Sequence, residues 1–175
     1  DRVRDMFLVG CYTGLRFSDF SILKPENIQD GFIEKKQQKT GYPVMIPIHP
    51  TVKRIIEKYD SNLKAISNQK MNEYLKELGE SAEIDNPVHK TITKGGKTLH
   101  LSFKKYDLLT THTARRSFAT NEYLAGTPTI TIMAITGHRT ESAFMKYIKL
   151  TPTEHAKILK MHWQKRFAEN NLKAV

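Results

Sequence analysis

Five short stretches of this sequence hold side chains suited to work on a phosphate. Arg16 stands in Tyr12-Thr13-Gly14-Leu15-Arg16-Phe17-Ser18-Asp19, and Lys39 in Gln37-Gln38-Lys39-Thr40-Gly41. His112 and Arg115 form a His-x-x-Arg pair in Thr111-His112-Thr113-Ala114-Arg115-Arg116-Ser117-Phe118. His138 follows Gly137 in Ile135-Thr136-Gly137-His138-Arg139, and Tyr147 lies nine residues on, between Lys146 and Lys149. Guanidiniums stay charged and donate in a planar fork, so Arg16 and Arg115 suit the non-bridging oxygens of a phosphodiester. Clamping of that kind is worth about 3–4 kcal/mol per donor. A tyrosine phenol, pKa ~10, can attack phosphorus and later leave again, so a bond broken this way is stored as an ester and resealed without ATP. The departing oxygen needs a proton, and a lysine on a mobile turn can supply it; Lys39 is the candidate, with Lys35 and Lys36 in the same polar run.

Composition sets the frame for that chemistry. The chain has 175 residues with 39% hydrophobic, enough for one domain with a real core. With 28 Lys and Arg against 18 Asp and Glu the net charge is +10, which points to a polyanion, nucleic acid first. No apolar run approaches the roughly 20 residues of a membrane helix. A single cysteine, Cys11, excludes an intramolecular disulfide and fits a reducing, cytoplasmic location; its place in an apolar pattern makes it a packing residue. The chain opens on Asp1 without a secretory signal, so the expectation is a piece of something longer.

The elements that must position the five stretches follow from periodicity. Val3, Met6, Phe7, Gly10 and Cys11 predict a first helix stopped by Gly14, and Phe17, Phe20, Ile22 and Leu23 a short second one ending before Pro25. From Gly31 to Ile48 the texture predicts two or three short strands, with Lys39-Thr40-Gly41 in a turn. Val52, Ile55, Ile56 and Tyr59 predict a helix, as do Met71, Tyr74, Leu75 and Leu78. Val88 to Leu101 alternates about Gly95-Gly96, a two-residue hairpin signal. Four helical pieces complete the chain. Gly126 and Pro128 part the first two, and Gly137 ends the second. A Thr151-Pro152-Thr153-Glu154 capping box opens the last, whose stripe is Ala156, Leu159, Trp163 and Phe167. The fold class is α+β, mainly helical, with a small antiparallel sheet and β-hairpins, as one domain over residues 1–175.

Two other signals fail on inspection. Gly95-Gly96-Lys97-Thr98 looks like the tail of a phosphate-binding loop, but Thr91 sits where that loop needs glycine. Seven histidines come with no cysteine pair and no His-Glu-x-x-His, so no metal site is indicated. Lys90, Lys94, Lys97, Lys104 and Lys105 cluster around the second hairpin, as a DNA-facing patch or a solvated basic face.

Together and in this order, the five stretches resemble the catalytic domain of the tyrosine recombinases, or phage integrase family, along nearly the whole chain. The Arg-Phe-Ser-Asp and Gln-Lys-Thr-Gly wording is most similar to integrases of Bacteroidetes mobile elements. The resemblance implies a site-specific recombinase in which Tyr147 becomes a 3′-phosphotyrosine. It makes His112 a general base or phosphate-orienting group and His138 a hydrogen-bond donor to the phosphate. Neither metal nor cofactor is implied. It also implies a core-binding domain ahead of this one, absent from this chain, and an isolated domain that is monomeric. Four protomers would work on two double-stranded DNA sites, with an accessory DNA-bending protein as a further partner and the bacterial nucleoid as the place of work. A type IB topoisomerase uses nearly the same residues, and a silent DNA-binding regulator could share the fold. Whether the last helix docks on its own domain or a neighbour stays open at this level.

Overall fold

The computed structural model describes residues 1–60, 66–148 and 150–173; Lys149 falls outside them, as does the Lys94 side chain. Helix α1 (Arg2–Thr13) buries Met6 and Val9 and ends at Gly14, whose φ of 66° lets its amide close back on the Gly10 carbonyl at 3.1 Å. After Leu15, which is fully buried, comes the single turn α2 (Phe17–Phe20). A three-stranded antiparallel sheet follows in the order β1 (Ile28–Gln29), β2 (Phe32–Lys36), β3 (Pro43–Pro47). Ile33 pairs with Ile46 across it, and both point into the core. Pro43 and Pro47 both lie in β3, which forms the edge where a missing amide costs no ladder bond.

Helices α3 (Pro50–Lys58) and α4 (Asn68–Ser81) close the first core, giving it Val52, Ile55, Ile56, Met71 and Leu75. Asp5 on α1 is buried in this layer and takes hydrogen bonds from Lys58 Nζ at 2.7 Å and Tyr59 Oη at 2.9 Å. Burial raises its pKa, yet the bonds from Lys58, Tyr59 and Arg4 outweigh that and hold the carboxyl below its usual range. Tyr12, near the end of α1, is 38% exposed and stacks on the His49 ring.

Strands β4 (Pro87–Lys94) and β5 (Lys97–Lys104) form the second hairpin, turned by Gly95 and Gly96, both at positive φ. The turn's backbone therefore accounts for the Gly-Gly-Lys-Thr string. Lys90, Lys97, Lys104 and Lys105 are exposed there.

Helices α5 (Thr111–Leu124), α6 (Thr129–Thr136) and α7 (Glu141–Met145) surround a second, smaller core of Phe118, Ala119, Ile132, Phe144 and Ile148. The final helix, α8 (Pro152–Lys173), starts at the expected capping box: Thr151 N–H donates to Glu154 Oε2 at 2.7 Å and Glu154 N–H to Thr151 Oγ1 at 3.3 Å. Its stripe stays open, with Leu159 and Trp163 each 50% exposed and Phe167 67%. None of the helices, among the described residues, is long and apolar enough to cross a membrane. The mainly helical α+β fold expected from the sequence is the fold observed.

The seam between α1 and α5 carries the site and tolerates no added bulk. A Cβ on Gly10 would lie 2.9 Å from the Ala114 Cβ, and one on Gly14 would lie 2.4 Å from the Phe118 ring. Gly14→Ala combines that clash with a strained positive φ, so we expect a loss of about 2–5 kcal/mol. A urea midpoint unchanged from wild type would show that the seam is looser than this.

A candidate active site at the junction of two cores

The six side chains singled out in the sequence line one cleft of about 670 Å³: Arg16, Lys39, His112, Arg115, His138 and Tyr147, with Phe17, Ser18, Asn68, Thr111 and Ala143 around them. They arrive from four separate places. Arg16 follows the glycine stop of α1, and Lys39 rides the turn between β2 and β3. His112 and Arg115 lie on the first turns of α5, and His138 and Tyr147 flank α7. Lys35 and Lys36 lie within β2 and do not line the cleft, whereas Lys39 does.

Arg115 is the deepest member, only 1% exposed. Its Nη1 donates to the Gly14 carbonyl at 2.7 Å and its Nη2 to the Thr136 carbonyl. Those carbonyls belong to the C-terminal ends of α1 and α6, where helix dipoles favour a cation. No carboxylate bonds it among the described residues, and its buried Nε–H has no partner there. Burial first, and then the charge of Arg16, lower its pKa to about 10, so it remains cationic at neutral pH. A structural ion pair is therefore not its local role: the guanidinium keeps its charge and an unused donor.

The N-terminus of α5 is tied down beneath His112. Thr110 is the cap residue, its N–H donating to Thr113 Oγ1 at 3.1 Å. Asn72 Oδ1 accepts the Thr111 amide, and Asn68 Oδ1 the Thr111 hydroxyl, each at 2.8 Å. Both asparagines come from α4 and escaped the sequence reading, because polar residues one helical turn apart look like a solvated face. His112 then projects outward and its Nε2 meets the Tyr147 phenol at 2.6 Å. Burial, followed by the charges of Arg115, Arg116, Arg16 and Lys39, pushes the His112 pKa down. The ring is therefore neutral at neutral pH, and in the tautomer that carries its proton on Nδ1 its Nε2 accepts from the phenol.

Tyr147 is aimed by what flanks it. Phe144 and Ile148 are buried in the second core, and the Tyr147 amide closes on the Phe144 carbonyl at 2.8 Å. The ring stands edge-on to both histidines, 5.1 Å from His112 and 4.5 Å from His138 between centroids. His138 is held by Gly137, which ends α6 at φ 67°, and by Thr136, whose Oγ1 lies 2.8 Å from His138 Nδ1.

Burial, then Arg115 and Arg16, lower the His138 pKa to about 4. An unfolded histidine titrates near 6.5, so the unfolded chain binds this proton more readily than the native one. The associated stability is complete above about pH 6.5 and is lost as pH falls towards about 4. The melting temperature of a His138→Gln variant should accordingly fall less than wild type between pH 7 and 4.5; parallel falls would refute this.

Gln37 is the largest contribution the sequence hid. It is 1% exposed in the middle of a polar run and bonds Arg16 Nη1 at 2.7 Å. Asp19, fully buried, accepts the Gln38 amide at 2.8 Å. No periodic signal marks either residue, since both sit in or face a turn.

The fold that carries this cleft is shared with known proteins. The structure is similar to that of a lambda integrase (75–356) dimer bound to a COC′ core site, at 19% identity and a TM-score of 0.62 over 85% of this chain and 52% of that one. It is similar to XerA recombinase at 16% identity and 0.63, over 93% and 63%. The lambda integrase catalytic core matches at 19% and 0.56, over 80% and 82%. At these identities the likeness is one of fold, and the chain spans about half the length of the first of them. No curated protein sequence matches. The model of the phage integrase family matches residues 2–154, and with nearly the whole chain covered, this protein belongs to the phage integrase family, whose tyrosine recombinase catalytic domain it resembles in fold.

Proposed function

We propose that this chain is the catalytic domain of a site-specific DNA recombinase that breaks and rejoins strands through a 3′-phosphotyrosine on Tyr147. The observation that carries this reading is the 2.6 Å contact between the Tyr147 phenol and His112, inside a cleft walled by Arg16, Arg115, Lys39 and His138. The phenol oxygen attacks phosphorus while its proton passes to His112. Arg16 and Arg115 hold the non-bridging oxygens, with His138 as a further hydrogen-bonding group. The P–O5′ bond breaks as the new P–O bond forms, and Lys39 protonates the departing 5′ oxygen. Reversal by a 5′-hydroxyl from another strand reseals DNA with no net loss of phosphodiester bonds. The positive charge required at the phosphate is supplied by side chains, so the reaction is proposed to run without metal or ATP.

A bound phosphate would also bear on the electrostatics of the cleft. Burial first, and then neighbouring cations, depress both histidines; an incoming anion offsets the cationic part and makes His112 a stronger proton acceptor at the moment of attack. Among similar structures, a lambda integrase tetramer is bound to a Holliday junction and a transposon integrase to circular intermediate DNA. In this protein too, the working assembly is proposed to be four protomers on two duplex sites, with this domain supplying the chemistry.

The test is covalent capture. The chain, and any longer protein containing it, is incubated in EDTA with nicked duplexes whose sequence around the nick is randomised. After attack the short 5′ fragment diffuses away, and the adduct accumulates. Adducts that survive denaturation and share a sequence support the reading. DNA binding with no adduct from either protein would leave a DNA-binding relative without the reaction.

A further inference from the structure

We propose that Gln37 is a positioning residue that holds the Arg16 guanidinium in place for the scissile phosphate, in register with the Lys39 turn and the His138 corner. This rests on the reading of Arg16 as a phosphate clamp. Gln37 immediately follows β2 and is 1% exposed, and its one side-chain amide reaches three segments of the site. Oε1 accepts from Arg16 Nη1 at 2.7 Å and from the Thr40 hydroxyl, next to Lys39, at 3.1 Å. Nε2 donates to the Ile135 carbonyl at 3.1 Å, near the end of α6. Its backbone closes the Lys39 turn from both sides, with its N–H on the Tyr42 carbonyl at 2.9 Å and its carbonyl taking the Gly41 amide at 2.8 Å.

Gly137 is cut to fit it. A Cβ there would lie 2.5 Å from Gln37 Oε1, so glycine serves both the left-handed end of α6 and the approach of this amide. An amide is the group that satisfies all three partners while remaining neutral. Glutamate would face the Ile135 carbonyl without a donor and would compete with the phosphate for Arg16. Methionine would fill the space with no hydrogen bond at all. Arginine has a long side chain with many rotamers, and fixing it before substrate arrives removes that ordering cost from the reaction step.

The experiment compares strand cleavage of two nicked duplexes of the sequence recovered by covalent capture. One carries the ordinary scissile phosphate and the other a methylphosphonate, which is neutral and makes little demand on a guanidinium. Gln37→Met is expected to cleave the phosphate substrate about 10–100-fold more slowly than wild type, within the range for weakening one such donor. On the methylphosphonate the deficit should shrink to about 3-fold or less, as it should for Arg16→Ala. A protein that is merely destabilised would lose equally on both substrates.

If Arg16→Ala shows the collapse and Gln37→Met does not, or if Gln37→Met matches wild type on the phosphate, the positioning role is overturned. If Arg16→Ala itself shows no collapse, or no duplex is captured at all, the clamp reading fails and this inference with it. Should Gln37→Met not fold, Gln37→Glu keeps the shape and decides by the same comparison. Independently of DNA, the Arg16 guanidinium should give resolved, slowly rotating NMR signals in wild type. Their persistence in the Gln37 variant would also overturn the assignment.

Discussion

Tyr147→Phe should yield no covalent adduct with any nicked duplex that traps the wild type, a loss of more than about 10⁴-fold for removal of the proposed nucleophile. The hydroxyl makes its hydrogen bond to His112 at the open side of the cleft, and the buried Arg115 guanidinium, which it also supports, keeps its bonds to the Gly14 and Thr136 carbonyls. Its removal should therefore change folding stability by about 1 kcal/mol or less. The backbone that aims the ring is held by Phe144 and Ile148 and stays as it is. DNA binding should survive, because the cations lining the cleft are untouched. His112→Ala is expected to be milder, about 10²–10⁴-fold slower, since water can replace a proton acceptor but not a nucleophile. Mass spectrometry of the wild-type adduct should place the nucleotide on Tyr147. An adduct retained in Tyr147→Phe would move the nucleophile to another residue.

The two arginines should separate in the same assays. Arg16→Ala removes one proposed phosphate donor and one hydrogen bond to Gln37 Oε1, which still has Thr40 as a partner. Cleavage should fall about 10²–10³-fold with a stability change near 1 kcal/mol. Arg115→Ala should lose comparable or greater activity and also destabilise the fold. It strands the Gly14 and Thr136 carbonyls in a buried seam, at about 1–3 kcal/mol each. It also leaves a large cavity between the two cores, where Arg115 is among the largest fully buried side chains. Arg115→Lys keeps the charge, yet a single ammonium cannot match a planar fork spanning two helix ends, so it should recover stability only in part. Equal melting of Arg16→Ala and Arg115→Ala would contradict the distinction drawn from their surroundings.

Local rules in the sequence determined most of the frame. Apolar spacing at three and four residues placed α1, α3 and α4, and alternation about Gly95-Gly96 placed the second hairpin. Gly14 and Gly137 were legible as helix stops because a left-handed terminus is a property of the residue itself. The set Arg16, Lys39, His112, Arg115, His138 and Tyr147 was also legible, as residue types in an order. Tertiary structure alone decided what surrounds them. Arg115 reads as a surface-seeking cation but lies buried between two helix C-termini, which become its partners only when α1 and α6 converge. The amide of Gln37 looks like a solvated turn residue, and the carboxylate of Asp19 has no identified partner, until the turn docks against the end of α1. Asn68 and Asn72 acquire their role only when α4 meets the start of α5. Periodicity reports which face of a segment avoids water; it carries no information about polar groups whose partners lie 21 to 101 residues away, and those partners fix this site.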